Sequence, residues 1–455
     1  MTASDAVPAV PEPTELTSLP VYDHWETRAI CNDVDGTHIE KYYPKQAPGD
    51  STSTPIQFSI KGNSDHIDLN HSFLLISGQF EGKVPKKTAD GTLVPLGNAG
   101  ASDFFFANFL PHALIESVNV DLANRGVNVN DQHYALRAYI QTLLSAPKEY
   151  ATGFLQATQG WLKDEGTWDG FDPANNSALQ LRKDLFVNDK NECFFIIDLH
   201  SPFMQLEKTI ISELDIDISI TRQQNPKYYI MADNAADVQF KIKQAVLHVR
   251  KVTCKPLVPL AIERKRASGV TYVMDDPRFI IQSIPVGETY VIKDNITNGH
   301  MPKRIIVTMM ETTAFNGQNS KNPFRFDHFN ATSIGLTKNG VEYPIPPIPL
   351  DFKNKNIVEL IRYNYASLQA NKTGPGPDLT PKDLMDGAFF VSWDMSPDQY
   401  GIDNPEMIIN RNTNIKLQIN FAEALKVNVT LVVFYMLEQR ATINKERQVI
   451  SERVA

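Results

Sequence analysis

Two stretches far apart in the chain read almost alike. "CFFIIDLHSPF" (193–203) and "AFFVSWDMSPD" (388–398) are each a run of strand-forming residues followed by Asp and, shortly after, Ser-Pro. The echo extends to their neighbours. "SELDIDISITR" corresponds to "NIKLQINFAEAL", and "FKIKQAVLHVRKV" to "VNVTLVVFYML". A repeat spaced by roughly two hundred residues is far longer than a solenoid period and implies two copies of one domain. Within each copy the dominant period is two. Ile56, Phe58 and Ile60 share a face, as do Ile67, Leu69 and Phe73; Leu214, Ile216, Ile218 and Ile220; and Val238, Phe240 and Ile242. Strict alternation in segments rich in Ile, Val and Phe marks half-buried strands.

A hairpin followed by a helix also occurs twice. In the first half Val118, Val120 and Leu122 lead to a turn expected at Asn124-Arg125-Gly126. The helix after it is expected to start at an Asp131 cap and to pack through Leu136, Tyr139, Ile140 and Leu143. In the second half Ile334 and Leu336 run into Asn339-Gly340, a hairpin signal because both central positions of a type I′ turn need positive φ. Ile361, Tyr365 and Leu368, with Val358, define the packing face of the second helix. Many strands and few helices point to an all-β chain, two tandem eight-stranded jelly-roll sandwiches with a few short helices. The expected layout is an extended N-terminal arm over 1–54, a first jelly roll over 55–252, a linker over 253–272 and a second jelly roll over 273–455. Pro8, Pro11, Pro13 and Pro20, with Asp5, Glu12 and Glu15, give the arm its coreless character.

Function classes narrow by composition and motif. Of 455 residues 42% are apolar, ample for a core, and the net charge of −9 argues against a nucleic-acid wrapper. Basic residues cluster around the linker, at Arg250, Lys251, Lys255, Arg264, Lys265 and Arg266, a pattern read either as a nuclear-import signal or DNA-facing patch or as the polar face of the linker and its helix. Cys31, Cys193 and Cys254 form no disulfide framework or zinc pattern. No signal peptide is visible, the longest apolar run (431–437) is too short to span a bilayer, and the chain is expected to be made inside a cell, without membrane insertion.

No P-loop, G-x-G-x-x-G, H-E-x-x-H, EF-hand or G-x-S-x-G pattern is present, so no catalytic residue, metal or cofactor is expected. Asp327-His328 is the nearest thing to a catalytic pair. On a strand its members would face opposite sides, leaving a structural role in which Phe324 and Phe326 enter the second sandwich core. His66, Asp68 and Asn70 would share a strand face, a metal-site geometry in some barrels and otherwise a polar surface. Trp161 and Trp168 are the loop residues a glycan-binding module would expose.

Specific stretches add a resemblance. "PKRIIVTMMETTAFNGQNSKNPFRFDHFNATSIGLTKNG", "FSIKGNSDHIDLNHSFLLI", "LRAYIQTLLS", "LHVRKV" and "INKERQVI" resemble, in order from about residue 55 to 450, the double jelly-roll major capsid proteins of Polinton/Maverick elements and related adintoviruses (polinton-like viruses). The arm, the insertion at 83–104 and the loop "QANKTGPGPDLTPKDLMDG" do not match it. The resemblance implies a non-enzymatic structural protein of the virion. Its partners would be itself, as a homotrimer forming a pseudo-hexamer and then an icosahedral capsid, and a minor or penton single jelly-roll capsid protein. Packaged double-stranded DNA would be met only indirectly. The competing readings are a two-jelly-roll glycan-binding protein, or a glycan amidase with acidic residues converging between the domains.

Overall fold

The structure is a computed structural model that describes residues 33–49, 53–87, 92–98, 100–127, 133–166, 168–169, 174–265, 269–368, 376–396 and 413–453. Among the described residues eight strands frame the first unit: β1 (Val34–Tyr42), β2 (Ile56–Ile60), β3 (His66–Pro85), β4 (Ile115–Leu122), β5 (Arg125–Gly126), β6 (Glu192–Ile197), β7 (Ile216–Arg222) and β8 (Asp237–Cys254); the short strands Leu93–Pro95, Phe105–Phe106 and Ile230–Met231 add to them. They pair antiparallel in two sheets, ordered β1-β8-β3-β6 and β2-β7-β4-β5. Eight more frame the second: β9 (Val270–Ile284), β10 (Tyr290–Lys293), β11 (Arg304–Glu311), β12 (Ala331–Lys338), β13 (Val341–Glu342), β14 (Val391–Asp394), β15 (Ile415–Phe421) and β16 (Val429–Ile443), with Ile348–Pro349 and Val449–Arg453 paired at their edges. Their sheets run β9-β16-β11-β14 and β10-β15-β12-β13. Every strand of the second set occupies the sheet position of the strand eight earlier. These are two jelly rolls of one topology.

Alternation explains the cores. Val118 opposes Ile220 and Val120 opposes Ile218 in the first roll; Ile334 opposes Ile419 and Leu336 opposes Leu417 in the second. All eight side chains are buried. Each pair sits on a face that packs across the sandwich, where burying a Val or Ile side chain contributes about 1.5–3 kcal/mol.

Three local expectations shift. The first hairpin turns at Ala123-Asn124 (φ 49° and 61°), and Arg125 and Gly126 already pair back onto Leu122 and Asp121. Ala123 tolerates the left-handed conformation because its N–H donates to Asp215 O (2.9 Å), and a non-glycine there has no sequence signature. The second hairpin does turn on Asn339 (φ 51°) and Gly340 (φ 85°), with Asn339 bonded through backbone and side chain to Asn414. Residues 34–42, assigned to the arm, are the edge strand of the first roll, paired with β8 from Tyr42↔Leu247 to Val34↔Cys254. Seven of those nine residues are exposed, so the core-facing alternation that marks a strand is missing. The expected linker holds a helix at Leu257–Lys265, and β9 begins at Val270.

The two helices that follow the hairpins are α1 (Tyr134–Ser145) and α4 (Val358–Ser367), with α2 (Ser177–Phe186) and α3 (Leu257–Lys265) between them in the chain. Leu136, Tyr139, Ile140 and Leu143 of α1 are buried; Asp131 lies outside the described residues. In α4 the expected face is only part of the packing: Ile361 and Leu368 pack against the core and the Tyr365 hydroxyl donates to Leu379 O (2.9 Å). Val358 is 69% exposed, Ile361, Tyr365 and Leu368 are half-buried, and the buried side is Leu360, Asn364 and Ser367. Asn364 bridges the helix to the β14 segment, donating to Phe390 O (2.9 Å) and accepting from Ser392 N (2.9 Å). A buried polar residue satisfied in this way reads as solvent-facing to any hydrophobic period.

Candidate functional site: the seam between the jelly rolls

Helix α1 of the first roll packs on its own β4 and meets the β9-β16-β11-β14 sheet of the second at both ends. At its start, the His133 ring lies 5.8 Å from both Phe279 and Phe315. At its end, Gln141, Leu144 and Ser145 line a groove with Arg304, Ile306 and Met436. Between them Tyr139 stacks flat on Phe324 (4.3 Å, 4°), and Trp161 packs on Tyr139 at 5.2 Å. Phe324 and Phe326 are buried, but in this seam, where Phe324 meets Tyr139 and Tyr228 of the first roll. The reason is local. Residues 322–330 form turns and one isolated bridge, Phe326 to Ala388, and not the expected strand, so no alternation carries them inward.

A polar clasp surrounds the aromatic stack. Asp164 is fully buried and accepts from Arg182 Nη2 (2.8 Å), Asn176 Nδ2 (2.9 Å) and, across the seam, Asn322 Nδ2 (2.9 Å). Asn322 also donates to Trp168 O (2.8 Å). Asp169 takes Lys321 Nζ and Arg325 Nη1, each at 3.1 Å. Lys163 reaches Asp383 (2.9 Å), whose carboxylate also completes the capping box of α5 (Pro381–Asp386). Buried charges cost several kcal/mol to desolvate, and this seam meets the cost with multiple partners per carboxylate. Such a clasp defines one relative placement of the rolls. Trp168 closes it: the Cβ that any other residue would carry at position 387 would stand 2.4 Å from its ring.

The acidic residues of the groove at the end of α1 are engaged. Lys303 holds Asp275 (3.0 Å) and the buried Glu438 (3.5 Å), and Asp394 accepts from Ser396 N and Oγ. Among the described residues no group of three or more His, Cys, Asp or Glu is placed to hold a metal ion. Asp327 pairs with Arg325 (2.9 Å), while His328 stacks on Phe352 (3.7 Å) and accepts from Asn330 N through Nδ1. The two side chains serve different neighbours. Burial pushes the His328 imidazole below its ordinary range, with Asp327 acting in the opposite sense. Asp68 turns to His71 (2.9 Å) and Arg250 (3.4 Å), leaving Asn70 exposed and His66 buried. The expected face breaks because β3 and β8 lose register between Phe73↔His248 and Asp68↔Arg250. The linker-proximal basic residues divide similarly: Lys251 is buried against Glu40 (2.5 Å) and Tyr42, and Arg266 lies outside the described residues. Trp161 and Trp168 are 5% and 1% exposed, which removes the surface a glycan would stack on.

One buried group has no sequence signal. His112 lies in the first roll beneath α1. Gln159 donates its amide to Asp198 (3.3 Å), so its Oε1 accepts from His112 Nε2–H (2.9 Å). His112 Nδ1 is therefore the acceptor of the Tyr134 hydroxyl (3.0 Å), which itself accepts from His200 N (3.1 Å). Burial pushes the His112 imidazole down to about 4 and holds His200 well below its ordinary range. The neutral tautomer is built into the chain of bonds.

No family model matches the sequence. A curated Caenorhabditis elegans protein, described as uncharacterized protein F54H12.2, is 20% identical over 388 residues, covering 81% of this chain and 85% of that protein. Among solved structures, a chain of the Sputnik virophage aligns with a TM-score of 0.64 at 12% identity, covering 99% of this chain and 94% of its own. The mavirus major capsid protein aligns with a TM-score of 0.57 at 11% identity (100% and 97%), and the faustovirus major capsid protein with 0.52 at 9% (95% and 94%). The chain shares the double jelly-roll fold of viral major capsid proteins over its whole length.

Proposed function

We propose that this chain is a major capsid protein, a structural subunit of an icosahedral shell whose capsomer is a homotrimer with six jelly rolls. The observation that carries the reading is the seam. Two rolls of one topology are clasped in a single relative placement, so that three chains present six similar blocks in a ring. Closed symmetry then buries self-complementary surface. Whole-chain likeness to viral capsid folds supports the same reading.

In this view residues 1–32, which carry the prolines and acidic residues of the expected arm, tie neighbouring capsomers together. A single jelly-roll protein fills the penton positions, and packaged DNA meets the shell only indirectly. The ordered motifs support a Polinton- or adintovirus-like source. The rolls themselves are taken to run from Val34 to Cys254 and from Val270 to Arg453, joined by the helix Leu257–Lys265.

The test is the native mass of the purified chain, with negative-stain imaging of the same peak. Three times 51.1 kDa with a hexagonal outline is expected. A monomer that fails to assemble across salt and pH would overturn the proposal.

A further inference from the structure

The groove at the end of α1 has a volume of about 420 Å³, and both rolls line it. Arg304 opens into it, half-buried, from the first position of β11. Among the described residues its guanidinium makes no hydrogen bond and no ion pair. The neighbouring carboxylates are engaged elsewhere. Asp394 stands directly opposite Arg304 across the β11-β14 ladder, but its Oδ1 accepts from Ser396 N (2.9 Å) and Ser396 Oγ (2.6 Å). Asp275 holds Lys303 (3.0 Å), Lys303 also reaches the buried Glu438 (3.5 Å), and Arg440 stands 3.8 Å from the same Glu438. Three cations thus meet three carboxylates, and within this neutral cluster Arg304 is the member left without a direct partner. Burial pushes its guanidinium below the ordinary range, with Asp394 and Asp275 acting in the opposite sense. A guanidinium carries a fixed fork of donors, and leaving them unmet away from bulk water costs free energy.

We propose that this groove is a binding site for a single carboxylate carried on a short apolar body, with the carboxylate on Arg304 and the apolar part on Leu144, Ile306 and Met436. The chemistry of the lining selects that class. The planar fork of Arg304 matches two carboxylate oxygens at once. Leu144 and Ile306 are buried, Met436 is half-buried, and together they offer carbon where a bare inorganic anion needs donors. The charge count limits the ligand to one negative charge. A phosphate dianion would set its second charge beside Asp394 and Asp275, and like charges at close range repel. Gln141 and Gln205 stand at the polar rim, held 3.3 and 3.5 Å from His200 Nδ1. A groove of this size, apolar with a few placed polar groups, has the character of a small-ligand site. Leu144 belongs to the first roll, and Arg304, Ile306 and Met436 to the second, so an occupant touches both and favours their native placement. Two sources offer this chemistry: an acidic side chain between apolar neighbours in a partner's peptide, and a free fatty acid. The site lies within one chain and is independent of its oligomeric state.

The experiment follows thermal melting of the full chain, wild type and Arg304→Gln, titrated with sodium hexanoate, hexylammonium chloride, sodium phosphate and the acetylated tripeptide amide Leu-Glu-Leu at matched ionic strength. Hexanoate is expected to raise the wild-type melting temperature saturably, while hexylammonium and phosphate leave it in place. Arg304→Gln should weaken the apparent hexanoate affinity by at least about tenfold, since a charge-assisted pair is lost. Without ligand the variant should melt no lower than wild type, because the side chain it removes has no direct partner. A stronger response to the tripeptide than to hexanoate assigns the site to a peptide, and a response that grows from hexanoate to decanoate assigns it to a fatty acid. No response to either carboxylate overturns the proposal. So does an equal response to hexylammonium or phosphate, or an affinity for hexanoate that Arg304→Gln leaves unchanged. An unliganded variant that melts below wild type, with the loss cancelled by adding Asp394→Asn, would make Arg304 a structural partner of Asp394 and overturn it as well.

Discussion

Acidification should weaken the first roll through His112, by an amount the structure sets. The imidazole is neutral in the native state because it is fully buried and its Nδ1 must accept the Tyr134 hydroxyl. Its native value is about 4, against an ordinary 6.5. Above pH 6.5 the residue is neutral in native and unfolded chains alike, and it imposes no pH dependence. Between 6.5 and 4 the unfolded chain binds a proton that the native chain refuses, so stability falls as pH falls. Below about 4 the loss is complete, roughly 3 kcal/mol at about 1.4 kcal/mol per tenfold change in proton affinity. The perturbation is His112→Gln, which keeps a hydrogen-bonding group and removes the titration. At neutral pH the variant should be less stable by about 1–3 kcal/mol, since it cannot satisfy Tyr134 and Gln159 together. Urea unfolding followed by tryptophan fluorescence suits the measurement, because Trp161 packs on Phe109 (5.1 Å) and Phe109 stacks on His112 (4.0 Å). The wild-type curve should drop toward that of the variant between pH 6.5 and 4, leaving the shared contribution of His200 in both. Parallel curves across that window would refute the claim that native packing holds this imidazole neutral.

Four further outcomes are expected. Phe324→Ala removes the ring stacked between the rolls and should cost about 3–5 kcal/mol, with protease sensitivity appearing at the seam; a silent substitution would contradict the packing described. Gly387→Ala drives a methyl into Trp168 and should cost about 1–3 kcal/mol although the backbone there is extended, read as a lowered melting temperature. Lys303→Met leaves the buried Glu438 without its nearer cation and should cost about 3 kcal/mol at pH 7, the loss shrinking in the double variant with Glu438→Gln. Deletion of residues 1–32 should spare the trimer and abolish shells by electron microscopy, whereas deletion through residue 54 also removes β1 and should compromise the first roll itself.

Much of this architecture is legible in the sequence because jelly-roll strands bury one face and declare it by alternation. Ile216-Ile218-Ile220 and Ile415-Leu417-Ile419 betray both their strands and the repeat. What escapes is whatever departs from that rule. β1 is exposed along almost its whole length, and reads as arm. Asn364 is buried yet polar, and hides part of the packing face of α4. The Ala123 turn has a residue that statistics would not choose. The seam is hidden for a different reason. Its partners, Asp164 and Asn322, or Tyr139 and Phe324, lie more than 150 residues apart, and only the placement of one roll on the other brings them together. No local pattern announces His112 either, since its partners come from three separate segments.

The clasp also bears on why the repeat has diverged. Identical rolls would present identical faces, and a chain of two would then have no preference between packing its own second roll and packing another chain's. The clasp removes that ambiguity. Asp164, Asp169 and Lys163 lie on a segment of the first roll, and their partners Asn322, Arg325 and Asp383 lie on the second. A polar lock of this kind fixes which surfaces pair, because a wrong neighbour would leave Asp164 buried without its third donor. A seam specified within the chain lets the two rolls find each other without waiting for a partner. A seam that resists proteolysis at every protein concentration would be its signature.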